Sequence, residues 1–146
     1  LPAVADPGSQ LVKLCHRHNI EVVPCSGPSS LMLALMGSGL NGQSFAFLGY
    51  IPAKTDERRQ ALKSIEKHSA SAHQTKIMIE TPYRNDSLFA DILNVCQGST
   101  ELCVAADITM PDAYIMTKTV AEWKRYVAGK ENIIGKRPCV FLILAH

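Results

Sequence analysis

The sequence has no Cys-x-x-C pair, no block of like charge, no long apolar run, no internal repeat and no low-complexity segment. Its five cysteines, Cys15, Cys25, Cys96, Cys103 and Cys139, are odd in number, widely spaced and set among apolar neighbours. That pattern argues against a disulfide framework and reads as reduced core cysteines of a cytosolic protein. His16 and His18 point away from each other on a helix, and no cysteine or carboxylate pattern completes a metal site, so no metal is expected. The longest apolar run, Cys139 to Ala145, is far too short to span a bilayer, and no membrane partner is expected. The first residues, Leu1-Pro2-Ala3-Val4, include no methionine and no basic lead-in, and no signal peptide is visible.

What is present is a core-forming composition. The chain has 146 residues, 47 % hydrophobic and 19 % charged, enough for one compact domain or a domain with a piece of another. A net charge of +2 neither calls for a large nucleic-acid footprint nor excludes a local one.

Hydrophobic periodicity alternates between helix and strand. Gly8 to Asn19 reads as a helix, with Leu11, Val12, Leu14 and Cys15 on one stripe and His16, Arg17 and His18 near its C-terminal end. Ile20 to Pro24 reads as a short buried strand of the parallel type. "SGPSS" (Ser26 to Ser30) then turns into a small helix over Leu31 to Met36, which ends at Gly37 and Gly39. Phe45 to Ile51 is a strand stopped by Pro52. Thr55 caps a helix with Arg58 and Arg59 on an exposed face and Ala61, Leu62 and Ile65 inward.

Further along, Lys76 to Ile79 is a strand. Glu80 to Asp86 is a loop entering a helix that carries Leu88, Phe89, Ile92 and Val95 and stops at Gly98. Leu102 to Ala106 and Ala113 to Thr117 are strands joined by a loop alone, a short helix surrounds Trp123, and Cys139 to Ala145 closes the sheet. Two late strands with only a loop between them predict an antiparallel portion. The expected class is α/β with a mixed sheet flanked by helices.

Four loops fall where open α/β sheets place ligands. They are "SGPSS", "ETPYR" (Glu80 to Arg84), "DITMPDA" (Asp107 to Ala113) and "GKRPC" (Gly135 to Cys139). In the first, Gly27 permits a tight turn, Pro28 presets φ, and Ser29 or Ser30 can present free amides at a helix start. Each loop taken alone also reads as ordinary capping or a polar turn; their order and spacing give them weight.

The ordered series "LPAVADPGSQLV", "EVVPCSGPSSLMLALMGSGL", "FAFLGYIPAK", "KIMIETPYRN" and "PCVFLILAH" resembles the tetrapyrrole methylase superfamily. The resemblance is strongest to the branch containing ribosomal RNA small subunit methyltransferase I. There a strand end reads roughly Asp-Ala-Gly-x-Pro-x-x-Ser-Asp-Pro-Gly, and Leu1 to Gly8 matches its latter part.

The resemblance implies a two-domain fold that binds S-adenosylmethionine in the interdomain cleft, usually as a cytoplasmic homodimer. The chain would be N-terminally truncated. Residues 1–40 would be the tail of the N-terminal α/β domain with its linker, and 41–146 the C-terminal mixed α/β domain. Position by position, it implies cofactor contacts at Leu1, Val4, Ser29, Ser30, Glu80, Thr81, Ile108 and Cys139.

Methyl transfer from a sulfonium is an in-line displacement that needs alignment and no metal. A ribose hydroxyl acceptor would also need a base, for which Glu80 and Asp107 are the candidates. The implied acceptor is small-subunit rRNA, at the ribose 2′-O of a cytidine. A tetrapyrrole, corrin or other small molecule is the alternative, and a third reading gives this chain dimerisation or cofactor binding only, with no turnover. Where the ribosomal branch typically has Glu-Ser-Pro-His-Arg, this chain has Glu80-Thr81-Pro82-Tyr83-Arg84. Where it has Arg-Glu-Leu-Thr-Lys, this chain has Ala106 to Met110, without the two positive charges.

Overall fold

A computed structural model describes all residues, 1–146. Five strands form one sheet: β1 (Phe45–Tyr50), β2 (Thr75–Ile79), β3 (Glu101–Ala106), β4 (Tyr114–Thr119) and β5 (Cys139–Leu144). Their spatial order is β1-β2-β5-β3-β4. The β1–β2 pair is parallel, and the other three pairs are antiparallel. β5, the last strand in sequence, inserts between β2 and β3. It is buried along its whole length, as its continuous apolar run requires.

Period-two alternation sends side chains to two cores. Leu102, Val104 and Ala106 with Phe141 and Ile143 face a layer of α3 (Thr55–Ala72), α4 (Asn85–Val95) and α5 (Val120–Val127). Cys103 and Ala105 with Val140, Leu142 and Leu144 face the opposite way, onto α2 (Ser30–Ser38) through Leu31, Ala34 and Leu35. Gly37 lets α2 approach β4: a Cβ there would lie 3.0 Å from Ile115 Cδ1. On the other face Trp123 is fully buried, and its indole N–H donates to the Leu102 carbonyl at 2.8 Å. A Thr119–Glu122 capping box starts α5.

Two expectations need correction. Residues Ile20 to Pro24 form no strand, and Ile20 and Val23 are exposed. A β-branched run becomes a strand only where a neighbour accepts its backbone hydrogen bonds, and no strand of this chain lies beside it. The preceding α1 (Ser9–Arg17) likewise buries no residue. The second correction concerns Arg58, expected on an exposed face. Its side chain is 1 % exposed and lies beneath the first turn of α3 among carboxylates from β2 and α4.

Three of the five cysteines, Cys96, Cys103 and Cys139, are core residues, whereas Cys15 is half-buried and Cys25 exposed; all are free thiols. No helix is long and apolar enough to cross a membrane.

A candidate cofactor pocket at the sheet edge

The mixed pairing brings the C-terminal ends of β1, β2 and β3 and the N-terminal ends of β4 and β5 to one edge of the sheet. A pocket of about 370 Å³ opens there. β1 contributes Tyr50; β2 and its following loop contribute Ile79, Glu80 and Pro82; the loop after β3 contributes Asp107, Ile108 and Met110. Pro138, Cys139 and Val140 close it from β5, and Ser30 from the start of α2. A second hollow of about 510 Å³ adjoins it, lined by Leu1, Val4, Ser29 and Ser30 among others, and shares Ser30 and Ile79 with the first.

Seven of the eight residues singled out for cofactor contact therefore line these two adjoining hollows. Thr81 lines neither, but it lies between Glu80 and Pro82, and its hydroxyl is buried without a hydrogen-bond partner. A buried hydroxyl left unpaired is costly, so a polar ligand group there would satisfy it.

The two candidate bases differ sharply. Both Glu80 oxygens are occupied: Oε1 accepts from the Thr81 N–H at 2.7 Å and from Arg84 Nε at 3.0 Å, and Oε2 faces Arg58 Nη2 at 3.5 Å. With its side chain 1 % exposed, Glu80 is a fastening point of the pocket wall. Asp107 is 18 % exposed, lines the pocket and has one long ionic contact, to Arg137 Nη1 at 3.6 Å. Its loop is unusually bent: Asp107 and Thr109 have φ of 50° and 73°, a left-handed conformation that is costly for a β-branched threonine. The Asp107 N–H donates to the Pro138 carbonyl at 3.0 Å and ties this loop to the start of β5.

Two supports of the pocket were missed at the sequence level. Arg58 donates to the Pro52 and Ala53 carbonyls, to Ser87 Oγ at 2.9 Å and to Asp91 Oδ2 at 3.3 Å. Together with the Glu80 contact, this fastens the ends of β1 and β2 to α4. The detectable signal was spacing: Arg58, Leu62, Ile65 and Ser69 recur at helical intervals on one face, and Leu62 and Ser69 are fully buried.

The second support is Asn85, also fully buried, which donates to the Gly135 and Arg137 carbonyls at 3.2 and 2.6 Å. Beside it, Asp86 accepts from the Ile134 and Gly135 N–H groups at 2.9 and 3.0 Å. The start of α4 thus holds the loop that delivers Pro138 and Cys139. Burial pushes the Cys139 thiol up to about 12, so it is a neutral, apolar element of the lining at physiological pH. No group of three or more His, Cys, Asp or Glu side chains is arranged to hold a metal.

Comparison with known proteins follows the same line. The chain is 35 % identical over 131 residues to ribosomal RNA small subunit methyltransferase I of Vibrio cholerae, covering 90 % of this chain and 44 % of that protein. Its namesake from Pseudomonas aeruginosa is 31 % identical over 142 residues, covering 97 % of this chain and 49 % of that protein. Over most of its length the chain is similar to the ribosomal RNA small subunit methyltransferases I, in keeping with the resemblance read from its sequence.

It spans less than half the length of these relatives. No family model matches it. The fold is shared with the methyltransferase CobJ, at a TM-score of 0.60 and 14 % identity over 99 % of this chain and 61 % of that one. It is also shared with uroporphyrin-III C-methyl transferase of Thermus thermophilus, solved with S-adenosylhomocysteine. There the TM-score is 0.51 and the identity 18 %, covering 98 % of this chain and 61 % of that one.

Proposed function

We propose that the protein carrying this chain is an S-adenosylmethionine-dependent methyltransferase of small-subunit rRNA, acting on the ribose 2′-O of a cytidine. The observation that carries the reading is the edge pocket, whose walls include the loops on which the sequence resembles the rRNA methyltransferase branch, in a chain 35 % identical to a member of it. The tetrapyrrole alternative has the weaker support, since the likeness to tetrapyrrole enzymes stands at 14–18 % identity against 31–35 % for the rRNA branch.

The pocket suits the donor chemically. Ile79, Ile108, Met110 and Val140 offer apolar surface for an adenine and a thioether, and the Thr81 hydroxyl has an unmet hydrogen bond. When bound, S-adenosylmethionine supplies an electrophilic methyl group. The chain's own work is to orient, to exclude water and to receive a proton. Leu1, Val4, Ser29 and Ser30 extend the wall on one side; Ile108 and Cys139 keep the other apolar. Asp107 is the better-placed base for a ribose proton, because it lines the pocket with its side chain 18 % exposed and one long ionic contact, whereas both Glu80 oxygens are taken by Arg58, Arg84 and the Thr81 N–H. Arg58 and Asn85 position the walls without touching the ligand.

In this reading residues 1–40 continue a preceding α/β domain and 41–146 form the C-terminal domain, with α2 as the piece of the first seated on the second. The exposed α1 and the unpaired run at Ile20 fit that division, and a cytoplasmic homodimer completes the proposal. The test is calorimetric titration of the full-length protein with S-adenosylhomocysteine, followed by methyl transfer to small ribosomal subunits. Saturable binding and labelling of 16S-type rRNA are expected, and absence of binding defeats the reading.

A further inference from the structure

Tyr83 is 81 % exposed and stands in a 3-10 turn, next in the chain to Pro82, which lines the pocket with Glu80. It belongs to neither hydrophobic core. Its one noted partner is Lys136 Nζ, 5.5 Å from the ring centroid, contributed by the loop clamped by Asn85 and Asp86. Arg84, 44 % exposed, stands next to it. On the same mouth Tyr50 and Met110 are 63 % and 60 % exposed. Planar and polarizable faces interleaved with cations are the chemistry by which proteins hold an unpaired nucleobase and its phosphate.

We infer that Tyr83, with Lys136, is a stacking platform for a splayed-out base of a single-stranded RNA segment, presenting the flanking ribose to the pocket. The inference rests on the rRNA reading above. It explains why an aromatic ring stays in solvent at a rigid site: the turn before α4 and the clamped loop fix both partners, so little ordering remains to be done on binding. It also relocates the positive charge. The loop after β3 has none between Ala106 and Met110, whereas Arg84 follows β2 and Lys136 and Arg137 precede β5.

The test uses the full-length protein, tritiated S-adenosylmethionine and small ribosomal subunits from cells lacking this methylation. Tyr83→Ala is expected to raise the KM for subunits about 10-fold, the loss of one base–aromatic stack, with kcat within about twofold and affinity for S-adenosylhomocysteine unchanged. Tyr83→Phe, which keeps the face and drops the hydroxyl, is expected to behave as wild type. Lys136→Ala is expected to raise KM and flatten its salt dependence.

Equal KM values for wild type and Tyr83→Ala overturn the platform while leaving the methyltransferase reading intact. So does a Tyr83→Phe defect as large as that of Tyr83→Ala, or a change in sedimentation that makes Tyr83 a subunit contact. A wild-type protein that binds S-adenosylhomocysteine but labels no rRNA, or that instead methylates a tetrapyrrole, overturns the acceptor reading and the platform with it.

Discussion

Replacing Arg58 with methionine tests how the pocket is held together. Methionine matches much of the volume but removes the guanidinium that joins the Pro52 and Ala53 carbonyls, Ser87, Asp91 and Glu80. Deleting one member of a buried ion pair costs about 3–5 kcal/mol when its partner is left alone. Here neither partner is left alone: Glu80 keeps Arg84 Nη2 at 2.9 Å and Asp91 keeps Arg59 Nε at 3.0 Å. The two carbonyls belong to solvent-exposed residues and can turn to water.

The loss therefore falls below that range, at about 2 kcal/mol, or a fall in Tm of roughly 4–8 °C for a domain of this size. Urea unfolding followed by circular dichroism and by Trp123 fluorescence measures it. Arg58→Lys keeps a charge but cannot reach in all directions of the planar fork, so it is expected to lose about half as much. A loss below about 1 kcal/mol for Arg58→Met, or a larger loss for Arg58→Lys, refutes the network as the fastening of the pocket.

Further outcomes follow from the same geometry. Asn85→Ala leaves the Gly135 and Arg137 carbonyls without their donor and should cost about 2 kcal/mol. It should also raise hydrogen exchange across residues 134–138 and weaken S-adenosylhomocysteine binding several-fold. Cys139 has its folded pKa pushed up to about 12 from an ordinary 9.0, so its stabilising contribution is full below pH 9 and is lost as pH rises toward 12. Cys139→Ala should therefore flatten the decline in stability over that alkaline range, by up to about 1.4 kcal/mol per pH unit. Gly37→Val drives a branched side chain into Ile115 and should destabilise by about 1–3 kcal/mol in thermal unfolding. Glu80→Gln should lower stability and donor affinity, without the hundredfold or greater fall in kcat that follows removal of a general base.

Strands β1, β2 and β5 were legible because prolines bound their apolar runs: Pro52 after β1, Pro82 after β2 and Pro138 before β5. Helix α4 was legible from its apolar stripe, and α5 was placed around Trp123, whereas the capping box that starts it at Thr119 and Glu122 emerged with the structure. Strand order was not, because the insertion of β5 between β2 and β3 depends on pairings 33 to 67 residues apart. Ile20 to Pro24 has a strand's composition without a strand's neighbour, and composition alone carries no pairing information. Arg58 was read as solvated because its partners, Glu80 and Asp91, lie 22 and 33 positions away. The loops bearing Glu80, Ile108 and Cys139 could be placed at strand ends from sequence, but their closure with Ser30 around one hollow came only with the fold.

A methyltransferase built on this chain must receive its sulfonium nucleotide in that hollow. The most direct measurement is isothermal titration of S-adenosylhomocysteine into full-length wild-type protein and an Ile108→Arg variant that keeps its circular dichroism spectrum. One saturable site in the wild type, weakened at least about 10-fold by the arginine that fills the pocket, is the predicted result. No binding to the wild type, or equal binding to both, would contradict it.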